Sequence, residues 1–190
     1  MARRQAEDTQ GKTVTTSRRS LLKLAGAAVA TAGLSGMTPE VSAATTVNLG
    51  DEGLSPGDSI DGYLEDYFTD GNRVVVPEGE YEWDGDGIGG SYADAAIVGD
   101  GPVVFRHPDG MHRAPTTRAT GGTVAFRNIT IRGECDGDDS RWRLEADDDA
   151  DLVLENVALP DGMEGQFGDA TGIYVPPGHA GTLTLRNVHL

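Results

Sequence analysis

Three stretches of this chain share one layout. "GTVAFRNITIRG" spans 122–133, "DLVLENVALPDG" spans 151–162 and "GTLTLRNVHL" spans 181–190. Each reads apolar, variable, apolar, charged, Asn, apolar, variable, apolar. Alternation puts Val124 and Phe126 on one face of a strand, and Ile129 and Ile131 continue with the opposite parity. One residue must absorb a bend between the two halves. Asn suits that position, because it tolerates left-handed backbone and its amide can bond neighbouring backbone. The same break falls at Asn156 and Asn187, and His107 after "VVFR" fills the matching slot one copy earlier.

The slots at 107, 128, 156 and 187 lie 21, 28 and 31 residues apart. A bent strand recurring at that interval predicts a solenoid of stacked parallel strands. Equivalent asparagines then stack along one corner, so Asn128, Asn156 and Asn187 read first as a structural ladder. "NIT" at 128–130 is also a glycosylation acceptor pattern. A ladder position occupies that amide, so Asn128 is expected unmodified.

The period before the repeats is different. In "DSIDGYLEDYFTDG", Ile60, Tyr63, Leu64, Tyr67 and Phe68 fall on one helical face. Asp58 or Ser59 can cap its start and Gly71 can end it. Short strands with turn-rich separators follow, from "RVVVPEGEYEW" onward. Residues 44–57, rich in Gly and Pro, read as a lead-in loop.

Charge divides the chain. Residues 1–43 carry six basic and three acidic residues, whereas 44–190 carry nine arginines, no lysine and 28 carboxylates. Such a surface repels itself at ordinary ionic strength. Near 1 M salt the Debye length is only about 3 Å, which screens the repulsion and predicts a salt-loving source. The same charge excludes nucleic acid as a partner. The positive N-terminus, "TSRRSLLKLAGAAVATAGLSGM", resembles a twin-arginine export signal with Arg18 and Arg19 as its pair. "VSA" at 41–43 suits cleavage, which divides the chain into a signal at 1–43, the lead-in at 44–57 and one domain at 58–190. The apolar run is too short and too rich in small residues for a membrane span. The expected partner during export is the twin-arginine translocase, with no membrane contact after cleavage.

The helix followed by Pro77, Gly79 and Tyr81, and then "AAIVGDG", resembles the entry of right-handed parallel β-helix proteins of the pectate-lyase-like group. The likeness covers roughly 58–190. It implies an all-β fold, a right-handed parallel β-helix whose N-terminal helix covers the end of the coil. It also implies extracellular polysaccharide work, by lyases, glycoside hydrolases or epimerases, or a non-enzymatic surface role. The signal and acidity add a likeness to exported haloarchaeal β-helix proteins. The sequence stops inside a strand at Leu190 with no closing cap, which reads as a fragment of a longer protein.

Two loops leave the coil at corresponding points, "GECDGDDS" at 133–140 and "PDGMEGQFGDA" at 160–170. Stacking should raise both on one side, beside "RWR" and "GIY". Asp136, Asp138 and Asp139 form the candidate metal set, for Ca²⁺, although the spacing lacks the later bidentate Glu of a calcium loop. Asp161, Asp169, Arg141 and Arg143 are the catalytic candidates. A lyase needs a cation to neutralise a uronate and a base, and a hydrolase needs two carboxylates. Trp142 and Tyr174 are candidates for stacking on sugar rings. The bland alternative for every carboxylate is solvated acidic surface, which is the reading for "DDDAD" at 147–151. Cys135 is a bystander thiol. His107, His112, His179 and His189 show no ligand spacing. Three functions stay open: a polysaccharide-binding or polysaccharide-cleaving protein, a non-catalytic surface scaffold, and an inactive fragment of a longer enzyme.

Overall fold

The computed structural model describes residues 41–43, 45–107, 115–133, 135–136, 142–161, 163–164 and 172–190. In chain order they give β1 (Thr45–Asn48), α1 (Asp61–Tyr67), β2 (Asn72–Glu82), β3 (Gly90–Ala93), β4 (Ala96–Arg106) and β5 (Thr116–Arg132). Then come β6 (Cys135–Asp136), β7 (Trp142–Ala146), β8 (Ala150–Ala158), β9 (Met163–Glu164), β10 (Ile173–Tyr174) and β11 (Thr182–Arg186). Every paired strand is parallel to its neighbour, and the whole is a β-solenoid of about four turns.

The asparagines make its corner. Asn128, Asn156 and Asn187 have φ of 58°, 55° and 51°, the left-handed backbone that the parity break demands. Asn187 Nδ2 donates to Asn156 Oδ1 at 2.8 Å, and Asn156 Nδ2 donates to Asn128 Oδ1 at 2.9 Å. Asn128 Nδ2 ends the ladder on the carbonyl of Gly99 at 3.2 Å. The matching slot one coil earlier is therefore Gly99, not His107. The register pairs Val98 with Arg127 and then Val103 with Ile129, so the corner of that coil is the Gly99–Pro102 turn. His107 lies just past the far end of the same strand, where its amide donates to the Arg132 carbonyl. Glycine is required at 99, because a Cβ there would strike the Asn128 carbonyl.

The corner divides each coil's first face into two halves, and both send alternate side chains inward. Val74, Ile97, Phe126, Leu154 and Leu185 form one column in register, and Val103, Ile129 and Val157 form another. Rungs of a sheet lie about 4.8 Å apart, so side chains in a column touch their neighbours above and below. The third side of the coil is β3, the start of β5, β7 and β10.

The helix takes the place of the third side in the first coil. Ser59 bridges to Glu82 as a rung of the second half-face. The chain then turns through α1, and Gly71 donates to the Ala93 carbonyl. Ile60, Leu64 and Phe68 are buried in the main core, as the periodicity predicts, while Tyr63 and Tyr67 are partly buried. The helix has no side-chain N-cap. Instead, Asp58 accepts from the Ser55 amide at 2.9 Å, and Ser59 donates to Asp61 at 3.0 Å. Asp61 in turn accepts from the amides of Asp84 and Asp86, both at 3.0 Å, which ties the helix to the next coil.

The lead-in at 44–57 is not all loop. Thr45–Asn48 is the first rung of the first sheet, in register with Asn72–Val75. "TTVN" carries a single apolar residue, too little for alternation to reveal.

Candidate functional site

The third side presents a polar outer surface. On β5, Thr117 and Ala119 point into the core, leaving Thr116, Arg118 and Thr120 outside. On β7, Trp142, Leu144 and Ala146 point inward, leaving Arg143 and Glu145 outside. The register then aligns Ser91, Arg118 and Glu145 in one column and Thr116, Arg143 and Tyr174 in the next. Two of the arginines of this carboxylate-rich chain thus stand side by side on one face.

Each has an acidic partner. Arg118 donates from Nε and Nη2 to Asp147 Oδ1 at 2.9 and 2.6 Å. That hydrogen bond, with the charge of Asp147 behind it, holds Arg118 above its ordinary pKa. Arg143 donates to Glu145 Oε2 at 3.3 Å. The Arg143 guanidinium also lies 5.9 Å from the centre of the Tyr174 ring on the next coil, within cation–π range. The side chains of Arg118 and Arg143 are 46% and 44% exposed, so both guanidinium groups reach solvent. His179 closes the end of the face. Its Nδ1 accepts from the Ala146 amide at 3.0 Å.

Trp142 is not on this surface. It is 2% exposed, and its ring meets Phe126 edge-on with centroids 4.9 Å apart. Its indole N–H donates to Thr117 Oγ1 at 3.0 Å, and Thr117 donates to the Ile88 carbonyl at 2.8 Å. The ring is core, closed to a sugar. Beside Arg143 the sequence left Trp142 open to either face; alternation along β7 sends Arg143 outward and the Trp inward. Trp83 is also buried, with its N–H on the Asp86 carbonyl.

The two acidic loops do meet. β6 and β9 pair in register, Cys135 with Met163 and Asp136 with Glu164. The Gly133 amide donates to Asp161 Oδ2 at 3.0 Å, so Asp161, itself exposed, links the two loops. Asp138, Asp139, Arg141 and Asp169 lie outside the described residues. Among the described residues no three His, Cys, Asp or Glu side chains gather as a metal site. Asp148 and Asp149 are exposed turn residues.

A concavity of about 610 Å³ lies between α1 and β3, lined by Glu65, Asp70, Asp86, Ser91 and Tyr92 among others. Burial, and then Asp70, raise the Tyr92 pKa. Its hydroxyl is 3.1 Å from the Gly89 carbonyl. Asp70 accepts from the Ala93 amide at 2.9 Å. These groups brace the first coil.

Sequence reading reached Arg143 and Tyr174 and missed Arg118, Glu145 and Asp147. The signal for them was alternation in "TTRAT" and "RWRLEA", which places every second residue outside on stacked rungs. No family model, curated protein or solved structure matches the chain.

Proposed function

We propose that this is an exported protein that binds acidic polysaccharide on the outer face of its third side. The observation that carries the reading is the column of Arg143 and Tyr174 on adjacent coils, with Arg118 beside it. A guanidinium fork matches a uronate carboxylate or a sulfate, and an aromatic ring stacks on the apolar face of a sugar. The rungs, about 4.8 Å apart, offer a linear polymer successive contacts at nearly the length of one sugar unit. Binding is favoured over cleavage because Glu145 and Asp147 are each engaged by an arginine, and neither is held ready as an acid or base. Ca²⁺ remains part of the proposal only for the loop carrying Asp136, Asp138 and Asp139. The pair Arg18 and Arg19 addresses the chain to the twin-arginine translocase, and the acidic surface suits salt near molar strength.

The test is calorimetry at molar KCl with a polyuronate and a neutral glucan. The polyuronate is expected to bind. Arg143→Ala and Tyr174→Ala should each weaken it about tenfold, the equivalent of about 1.4 kcal/mol. Absence of binding, or binding that neither substitution changes, overturns the reading in favour of a surface scaffold.

A further inference from the structure

The first sheet carries a small apolar cluster on its outside, apart from the core on its inside. Ile97, Val124, Phe126, Leu152 and Leu154 fill the core, so the residues between them must face outward. Yet Ala96, Val98, Ala125 and Val153 are 1%, 9%, 0% and 0% exposed and form a second cluster separate from the core. The register places Ala96, Ala125 and Val153 in one column, with Val98 in the next. Arg73 continues the Ala96 column on β2, paired with Ala96. The Arg127–Glu155 ion pair, at 3.4 Å, flanks it. Two alanines between an arginine and an ion pair leave a shallow trough. One described residue from elsewhere in the chain packs in it: Val41, just ahead of β1.

We propose that residues 41–43 act as a removable cover, seated by Val41 in this outer trough. The chain itself supplies the occupant, since residues 41–43 lead directly into β1 at the edge of the same sheet. The cleavage step rests on the export reading. A cut after Ala43 takes Val41 away and exposes the apolar column on a surface otherwise rich in charge. The unprocessed and processed forms then differ in stickiness although their solenoid is unchanged.

The experiment uses the full chain in molar KCl, with Val41→Ser, Val153→Thr and both together. Each single substitution should raise the fluorescence of an apolar-surface dye and lower the melting temperature. The double variant should melt no lower than the worse single one, because both changes break the same contact. Additive losses, or no dye response to Val41→Ser, overturn the cover. None of these variants requires export or cleavage. N-terminal sequencing of the exported protein tests the cut separately: a start at Ala44 supports the release step, and retention of Val41 overturns it.

Discussion

At the scale of the residue, one asparagine per coil does two jobs. It accepts a left-handed backbone that costs most residues about 1–2 kcal/mol, and it passes a hydrogen bond to the coil before. Substitution separates the two. Asn156→Ala loses both and should destabilise the fold by about 2 kcal/mol. Asn156→Gly loses the ladder but removes the backbone penalty, which outweighs glycine's extra chain entropy of about 0.5–1 kcal/mol. Chemical denaturation should therefore rank wild type above Gly and Gly above Ala. A glycine variant no better than the alanine one would mean that the backbone conformation carries no cost here. This corner was legible because the same residue recurs with the same parity break. The first copy was not, because Gly99 and Gly101 make the turn there without Asn, and the Arg-His pair at the far end of the same strand imitates the motif.

At the scale of the element, legibility followed apolar content. The helix face from Ile60 to Phe68 and the strands around each asparagine stand where their periodicity put them. β1 and β3 escaped because "TTVN" and "GSYA" pair through their backbones and carry few apolar side chains. Trp142 shows the converse: its burial follows from alternation within β7, and its charged neighbours disguise it. Of the candidate site, Arg143 and Tyr174 were readable as a pair only once one whole turn of the coil was counted between them. That turn, which carries β8 and β9, separates them by 31 positions of sequence but only one rung of sheet. The helix closes the first coil through Leu64, which is fully buried. Leu64→Ala should cost about 2–5 kcal/mol, the range for a buried leucine leaving a cavity. A loss below about 1 kcal/mol, measured by denaturant unfolding, would mean that the helix is an ornament on an otherwise self-sufficient coil.

At the scale of the molecule, charge and stacking oppose each other. The 28 carboxylates of residues 44–190 outnumber the nine arginines, and the ion pairs that Arg106, Arg118, Arg127, Arg143 and Arg186 make with Glu80, Asp147, Glu155 and Glu145 leave that excess of negative charge standing. Circular dichroism should show the strand signal falling below a few hundred millimolar KCl and returning near molar strength, where the Debye length is about 3 Å. An unchanged signal in dilute buffer would remove the argument for a high-salt setting. Stacking itself rests on the inward columns: Leu154 is buried beneath Leu185, which is 48% exposed on the last described coil. The central claim is that the repeated sequence is one corner of successive coils in parallel register. Its most direct test is nuclear Overhauser contact between the side-chain amides of the three asparagines, in molar KCl. Cross-peaks should join Asn128 to Asn156 and Asn156 to Asn187, one rung of about 4.8 Å each, and none should join Asn128 to Asn187 across two rungs. Three side-chain amides with no contacts to one another, each exchanging freely with solvent, would contradict the solenoid and everything placed on its faces.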